Sequence, residues 1–340
     1  NDIFKCDIIF ISADIKTNSK GKSDYSLINT YIKKIKKKIN KKQTLIILSQ
    51  LKPGFCNKLK SELKSELIYF VETLVFGNAV DRALHPERII LGTNHKLSRK
   101  ANYFFNKFQC PILKMNYESA ELTKISINLF LVSSVTTTNL ISSISKSIGA
   151  DWNEIRKALT LDKRIGKFAY LSPGLGISGG NLERDLNSII EIGKKKKIST
   201  KLISLWQNMS ALRKNWISDN LRKIIKINKV RNVGILGLTY KPGTNSIKNS
   251  PSLMTIKKNT NILFKYHDPK ADILKLKNLK FCSINECCKN VKILIIATPW
   301  PIYSKSKLED KILKNKIKYL IDPFKVLKFK NKKNIKYLSL

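Results

Sequence analysis

Short runs of apolar, mostly branched residues recur along this chain, and they constrain its fold more than any other feature. They are residues 7–12 (D-I-I-F-I-S), 44–49 (T-L-I-I-L-S) and 88–92 (R-I-I-L-G), with a shorter one at 112–114. The pattern returns at 232–238 (N-V-G-I-L-G-L), 261–267, 291–297 (V-K-I-L-I-I-A) and 319–322. Runs of this length without polar alternation suit strands buried on both faces, as in parallel sheets. Helical segments lie between them. Ser23 and Asp24 can cap a helix reaching about Asn40, and Pro53-Gly54 turns into another through Leu63. Alternating strand and helix predicts a layered α/β fold at each end of the chain.

The middle differs. Residues 119–148 contain neither proline nor glycine and read as one long helix. Gly149-Ala150-Asp151 ends it and caps the next. Two further helices are predicted over 182–194 and 200–226, with Trp206, Met209, Leu212 and Trp216 at helical spacing as core or interface residues. Before them lies a dense loop. Pro173, Gly174, Gly176, Gly179 and Gly180 crowd together, and a helical rhythm with Glu183 and Asp185 in its first turn follows. Tight turns opening onto a helix N-terminus can cradle an anion or a sugar. An ordinary interhelical loop fits the same residues, and the physics alone leaves both readings open.

Charge raises another possibility. The 340 residues hold 65 Lys and Arg against 24 Asp and Glu, a net +41. A basic excess can mark a nucleic-acid binder. Here the lysine runs at 33–42 and 194–197 fall at predicted helix ends without interleaved aromatics. Lysine also far outnumbers arginine, whereas base and phosphate forks favour arginine. A compositional bias spread over the surface is the better reading, with no specific nucleic-acid partner. The six cysteines form no C-x-x-C pair, and none stands at metal-ligand spacing from a histidine. They read as buried thiols of a reducing compartment, and no metal site is expected. No leader and no long uncharged apolar run is apparent, so neither export nor a membrane span is expected, and a cytoplasmic location follows.

Residues 162–185 (D-K-R-I-G-K-F-A-Y-L-S-P-G-L-G-I-S-G-G-N-L-E-R-D) resemble the substrate loop of the UDP-glucose/GDP-mannose 6-dehydrogenase family, D-x-R-I-G followed by P-G-x-G-F-G-G-S-C-F-x-K-D. Asp162, Arg164, Ile165, Gly166, Pro173, Gly174, Gly176, Gly179 and Asp185 match, and the family's lysine becomes Arg184. Further motifs recur in the family's order. Residues 69–77 (Y-F-V-E-T-L-V-F-G) stand where the family has N-P-E-F-L-x-E-G, with Glu72 on its first glutamate. Ala120-Glu121-Leu122-Thr123-Lys124, then Asn128, resemble A-E-L-x-K-x-x-x-N, and Asn139 in T-T-T-N also fits. Residues 240–251 (Y-K-P-G-T-N-S-I-K-N-S-P) resemble F-K-x-x-T-x-D-x-R-x-S-P; Asp268-Pro269 and Thr298-Pro299-Trp300 complete the series.

The resemblance implies two Rossmann-like doubly wound domains, the first incomplete, joined by a long central helix and a helical middle. The boundaries expected are 1–115 for a partial NAD-binding domain, 116–228 for a helical dimerisation domain and 229–340 for a UDP-sugar-binding domain. It implies NAD as cofactor, a nucleotide sugar as substrate and a homodimer. Glu72, Lys124, Asn128, Asn181 and Asp185 fall on catalytic positions. Arg164, Tyr170, Pro173, Gly174, Gly176, Gly179, Gly180 and Lys241 fall on substrate positions, and Lys248 replaces the arginine that reaches the cofactor's phosphates. Lys124 and Asn128, four apart on a helix, can hold a developing oxyanion. Phe70, Val71, Leu74 and Val75 flank Glu72 and would desolvate it, raising its pKa.

The departures are specific. The family's nucleophilic cysteine is Asn181, which has no thiolate equivalent. No G-x-G-x-x-G turn follows the first strand, where a dinucleotide fold carries it, and none is expected anywhere in the chain, as if the chain began mid-domain. The family's K-S-T-V-P-P-G reads Leu48-Ser49-Gln50-Leu51-Lys52-Pro53-Gly54, and its substrate-binding D-G-R reads Asp322-Pro323-Phe324. Three functions follow in order of preference: oxidation of a nucleotide sugar without covalent catalysis, a non-catalytic relative that binds the sugar, and a basic nucleic-acid binder on a borrowed fold.

Overall fold

A computed structural model describes residues 2–18, 21–74, 78–305, 307–327 and 334–340. Val75, Phe76 and Gly77 of the glutamate motif therefore lie outside the described residues. In chain order the elements are β1 (Ile8–Ile11), β2 (Lys16–Thr17), β3 (Ser23–Asp24), α1 (Ser26–Lys36), β4 (Thr44–Ile47), α2 (Phe55–Lys60), β5 (Glu66–Phe70), α3 (Ala79–Leu84), β6 (Ile89–Gly92), α4 (Arg99–Asn106), β7 (Ile112–Met115) and α5 (Tyr117–Ser147). There follow α6 (Trp152–Leu161), α7 (Asn181–Lys196), α8 (Lys201–Lys214), α9 (Trp216–Asn228), β8 (Asn232–Leu236), α10 (Pro251–Lys258), β9 (Leu263–His267), β10 (Leu279–Phe281), α11 (Ile284–Cys288), β11 (Ile293–Ile296), α12 (Pro301–Lys305), α13 (Leu308–Lys314), β12 (Tyr319–Ile321) and β13 (Lys336–Leu338). Contacts divide the chain into two units. The first is Asn1–Phe130 with Arg184–Lys197, and the second Leu131–Glu183 with Ile198–Leu340.

The first unit is built on a sheet of order β1-β4-β5-β6-β7. All its pairings are parallel except β5 with β6, which run antiparallel with Tyr69 opposite Gly92. Ile9, Ile28, Ile32, Leu45, Leu67 and Tyr69 form one core, while Ile46, Ile68, Ile89, Leu91 and Phe105 form another. Alternate residues of β4 and β5 thus enter different cores, so both faces are covered and the strand runs lack polar alternation. β5, at the sheet's centre, escapes the sequence reading because it opens on Glu66. That carboxylate is inward-bound: it accepts from Thr44 Oγ1 (2.5 Å) and from the Ser98 amide (2.7 Å) at the cap of α4. Gly92 lets α5 close on the sheet, since a Cβ there would lie 2.8 Å from Ala120 Cβ. Two helices stop earlier than expected, α1 at Lys36 and α2 at Lys60. Ser23 and Asp24 pair with Lys16 and Thr17 instead of forming the N-cap, although Asp24 does accept from the Ser26 amide (3.0 Å).

In the second unit a sheet of order β10-β9-β8-β11-β12-β13 is parallel throughout. Val233, Ile235, Phe264, Ile293 and Ile295 fill one face, and Leu236, Cys287, Leu294, Ile296 and Leu320 the other. The helix expected over 200–226 is interrupted. Asn215, a weak helix former, separates α8 from α9 and accepts from Lys258 Nζ (2.6 Å). Asp268, just after β9, is a buried clasp. Its Oδ2 accepts from the amides of Leu238 (2.7 Å) and Thr239 (2.9 Å), from Thr239 Oγ1 (2.9 Å) and from Trp300 Nε1 (3.2 Å). Its Oδ1 accepts from the amides of Lys270 and Ala271, both at 2.8 Å.

Two sequence expectations are corrected. α5 is, by length and composition, apolar enough to cross a bilayer, contrary to the absence of such a run. Its serines and threonines conceal this in the sequence. Their hydroxyls bond carbonyls one turn back, as Thr136 does to Val132 (2.8 Å) and Ser145 to Ile141 (2.8 Å). The cysteines are free but not uniformly buried: Cys56, Cys287 and Cys288 are, Cys110 and Cys282 are half-buried, and Cys6 is exposed.

Candidate active site

Four of the five residues assigned to catalysis meet in the first unit. Lys124 and Asn128 stand one turn apart on α5, where their i, i+4 spacing gives them one face. Lys124 Nζ lies 3.7 Å from Glu72 Oε2, with side chains 15% and 29% exposed. Asn128 Nδ2 donates to Asp185 Oδ2. Asp185 is 1% exposed and its Oδ1 is 3.3 Å from Nε of the buried Arg184, whose Nη1 donates to the Ile15 carbonyl at 2.9 Å. Arg184 therefore fastens the start of the buried part of α7 to the segment after β1.

The electrostatics follow from this packing. Burial pulls the Lys124 ammonium below the ordinary lysine range, opposed by the Glu72 and Asp185 carboxylates. Burial pushes Asp185 up, opposed by Arg184, Asn128 and Lys124. Each group is thus moved towards easier proton exchange, the condition that acid–base chemistry requires. Glu72 is not enclosed as its apolar neighbours suggested. Its Oε1 accepts from the Leu74 amide, while Oε2 faces Lys124.

Two nearby residues were passed over in the sequence. Glu121, fully buried, accepts from the amides of Gly54 (2.6 Å) and Cys56 (2.8 Å), satisfying the N-terminus of α2. Gln50, just past the end of β4, is buried with both polar atoms of its amide lacking a hydrogen-bond partner. Ligands of open α/β sheets bind outside the carboxyl ends of strands, and an unpaired amide there is a place for a polar ligand group. A glutamine in place of the threonine of K-S-T-V-P-P-G was the signal available.

The remaining site residues lie in the second unit. Both polar groups of the Gly174 peptide are gripped: its N–H donates to Asn139 Oδ1 (2.8 Å), and its carbonyl accepts from Arg213 Nε (2.9 Å). Gly176 has φ +85° and packs so closely on α8 that a Cβ would lie 2.7 Å from the Ser210 carbonyl. Gly179, at φ +81°, lies against the Tyr240 ring and donates to the Lys248 carbonyl at 3.0 Å. Asn249 Nδ2 bonds both the Gly179 carbonyl (2.8 Å) and Glu183 Oε2 (2.5 Å). Lys241 Nζ is 5.6 Å from the Tyr240 ring centroid. Lys241 and Lys248 thereby flank the loop.

Pro173 and Gly180 are half-buried, and Asn181 is the exposed first residue of α7. Tyr170 is half-exposed, its carbonyl accepting from Thr138 Oγ1 (2.9 Å). Arg164 is 89% exposed and folds back on Asp162 at 2.6 Å. Gly174, Gly176 and Gly179 do carry G-x-G-x-x-G spacing. Among the described residues no strand lies between α6 and α7, so they are not a dinucleotide turn. A cavity of about 460 Å³ lies behind the loop, bordered by Asn139, Ile177, Met209, Arg213 and Trp216.

Comparison with known proteins finds matches to three domains of the UDP-glucose/GDP-mannose dehydrogenase family. The NAD binding domain matches residues 1–109, the central domain 118–211 and the UDP binding domain 234–329. A UDP-glucose 6-dehydrogenase of Rickettsia prowazekii is 30% identical over 321 residues, covering 88% of this chain and 73% of the relative. One from Rickettsia bellii is 30% identical over 316 residues, covering 86% and 71%. Among solved structures, a UDP-glucose dehydrogenase from Pyrobaculum islandicum superposes with TM-score 0.83 at 22% identity, over 99% of this chain and 80% of its own. A UDP-D-ManNAc dehydrogenase from Pyrococcus horikoshii gives 0.81 at 18% identity, over 99% and 82%. These two likenesses concern the fold.

Proposed function

The chain belongs to the UDP-glucose/GDP-mannose dehydrogenase family, and from that premise we propose that it oxidises the C6 hydroxyl of a UDP-sugar without a covalent thioester. Its function is that of a nucleotide sugar 6-dehydrogenase using NAD. The observation that carries the proposal is the gathering of Glu72, Lys124, Asn128 and Asp185 in one unit while position 181 holds an amide.

NAD supplies the hydride acceptor at C6 when bound. Gln50 would hold a polar group of the cofactor, because its orphaned amide can both donate and accept. No strand-linked G-x-G-x-x-G turn for a pyrophosphate occurs in these residues. The protein's own groups do the rest. Asp185 takes the C6 hydroxyl proton. Lys124 and Asn128 hold the oxygen as the carbonyl forms, the role of a preorganised oxyanion site. Where oxidation goes on to the acid, a second NAD would supply the acceptor for the second hydride; Asp185 passes its first proton to solvent, water adds to the carbonyl, and Asp185 takes the proton of the hydrate, while Glu72 keeps Lys124 oriented and charged. The glycine loop, with Tyr170, Lys241 and the helix start at Asn181, receives the nucleotide sugar. Lys248 offers one cationic contact to a phosphate, without arginine's fork.

A cytoplasmic location suits the six free thiols. The reading includes a homodimer and no specific nucleic-acid partner. Leu140, Ile144, Leu202, Leu205 and Leu212 are exposed on α5 and α8, apolar surface that a symmetric interface would cover. Sedimentation at micromolar concentration is expected to show a dimer; a clean monomer would remove this part of the reading. The function itself is tested by following NADH while full-length protein is incubated with NAD and a panel of UDP-sugars. NADH formation supports the dehydrogenase reading. A protein that binds a UDP-sugar yet forms no NADH from any would instead be the non-catalytic relative.

A further inference from the structure

Cys282 follows β10 directly, and Cys287 and Cys288 lie on α11. None belongs to the site described above. The Sγ atoms of Cys282 and Cys287 are 3.3 Å apart. Cys282 is half-exposed, and Cys287 is fully buried behind it. Both backbones are held. The Cys282 amide donates to the Tyr266 carbonyl of β9 (2.9 Å), and the Cys287 amide to the Ser283 carbonyl (2.9 Å). Ser283 also caps α11 through the Glu286 amide (3.2 Å). α11 sits hard on the sheet, since a Cβ on Gly234 of β8 would come within 2.1 Å of the Cys287 carbonyl. The backbones that carry the two sulfurs are therefore held on both sides of the pair.

Their surroundings differ. The hydrogen bond between the two sulfurs holds the Cys282 thiol below the ordinary thiol range against its partial burial and the Glu286 carboxylate, aided by Lys265 and Lys280. That same bond, with burial, pushes Cys287 far up. Burial pushes Cys288 up to about 11. An accessible sulfur with thiolate character beside a protonated partner is the arrangement of an attacking and a resolving cysteine.

We propose that Cys282 and Cys287 form a peroxide-oxidised dithiol, separate from the dehydrogenase site, in which Cys282 is attacked first and Cys287 resolves it. The Cys282 thiolate displaces hydroxide from hydrogen peroxide, forming an S–O bond as the O–O bond breaks; the hydroxide takes a proton and leaves as water. The Cys287 sulfur then attacks the Cys282 sulfenic sulfur. The S–S bond forms, and the departing hydroxyl takes the Cys287 proton as a second water. Two thiols are oxidised and one peroxide is reduced, and a small thiol reductant reverses the change.

The test treats the native full-length protein with hydrogen peroxide, unfolds it in guanidinium chloride with N-ethylmaleimide present to block the remaining thiols, and digests with trypsin. Cleavage after Lys280 and Lys289 puts Cys282, Cys287 and Cys288 in one peptide. Expected is a peptide lighter by two hydrogens, with a single maleimide on Cys288 and a Cys282–Cys287 link reversed by dithiothreitol. Cys287→Ser should leave a Cys282 sulfenic acid that dimedone captures, and Cys282→Ser should leave Cys287 alkylable after the same treatment. Maleimide on all three cysteines after peroxide, or a link to Cys288, would overturn the proposal. The wild-type peptide decides the matter even where a serine variant fails to fold.

Discussion

Lys124→Ala is expected to lower turnover by about two to three orders of magnitude, the usual effect of removing one positioned oxyanion donor. The same account expects Asn181→Ala to change turnover far less, because Asn181 is exposed and has no covalent role. The contrast separates this reading from one in which position 181 does the chemistry. Lys124 also sets a pH dependence. Its ammonium is held below the ordinary lysine range by burial, with Glu72 pulling it partly back. Activity that needs the charged form should fall on an alkaline limb below the usual lysine value of about 10.4. Glu72→Gln removes the restoring charge and should move that limb to lower pH still. Rate profiles of wild type and both variants read this directly; an unchanged limb in Glu72→Gln would show that the titrating group is not Lys124.

The largest expected loss of stability is at Asp268. Removing this carboxylate leaves the amides of Leu238, Thr239, Lys270 and Ala271 without their acceptor inside the second unit, and leaves the Trp300 indole only Thr239 Oγ1. Asp268→Ala should cost on the order of 3–5 kcal/mol, since each buried donor left unpaired costs about 1–3 kcal/mol and some recover water. The sign of the pH effect is fixed. Burial raises the Asp268 carboxyl, but the amides of Thr239, Lys270, Leu238 and Ala271 outweigh it and hold the folded value below the ordinary one. Its contribution is complete above the unfolded value of about 3.9 and fades as pH falls through the lower folded value. Urea unfolding at neutral and acidic pH should show wild type losing part of its advantage over Asp268→Ala only in acid. A variant as stable as wild type at neutral pH would remove the clasp from the account.

The sheets were largely legible because their strands are covered on both faces, so residues 45–48 and 293–296 appear as unbroken apolar runs. β5 was not, because Glu66 looks like a surface residue until Thr44 and Ser98 are seen bonding it. The interruption at Asn215 was equally hidden, since its partner Lys258 is distant in sequence. Among site residues, Lys124 and Asn128 were readable from their match to A-E-L-x-K-x-x-x-N, with helical spacing placing them on one face. Their pairing with Glu72 and Asp185 was not, because no periodicity joins residues 72, 124 and 185. Arg213, which holds the Gly174 carbonyl, gave no signal among so many basic residues. Gln50 became informative only when its amide proved buried and unpartnered.

The central claim is oxidation at C6 without a bond between protein and sugar, and intact-mass spectrometry of reactions quenched during turnover tests it most directly. NADH is counted per sugar consumed in the same samples, so that turnover is established independently. The account predicts NADH formation with every protein molecule at its unmodified mass. A sugar adduct on any of the six cysteines would contradict it.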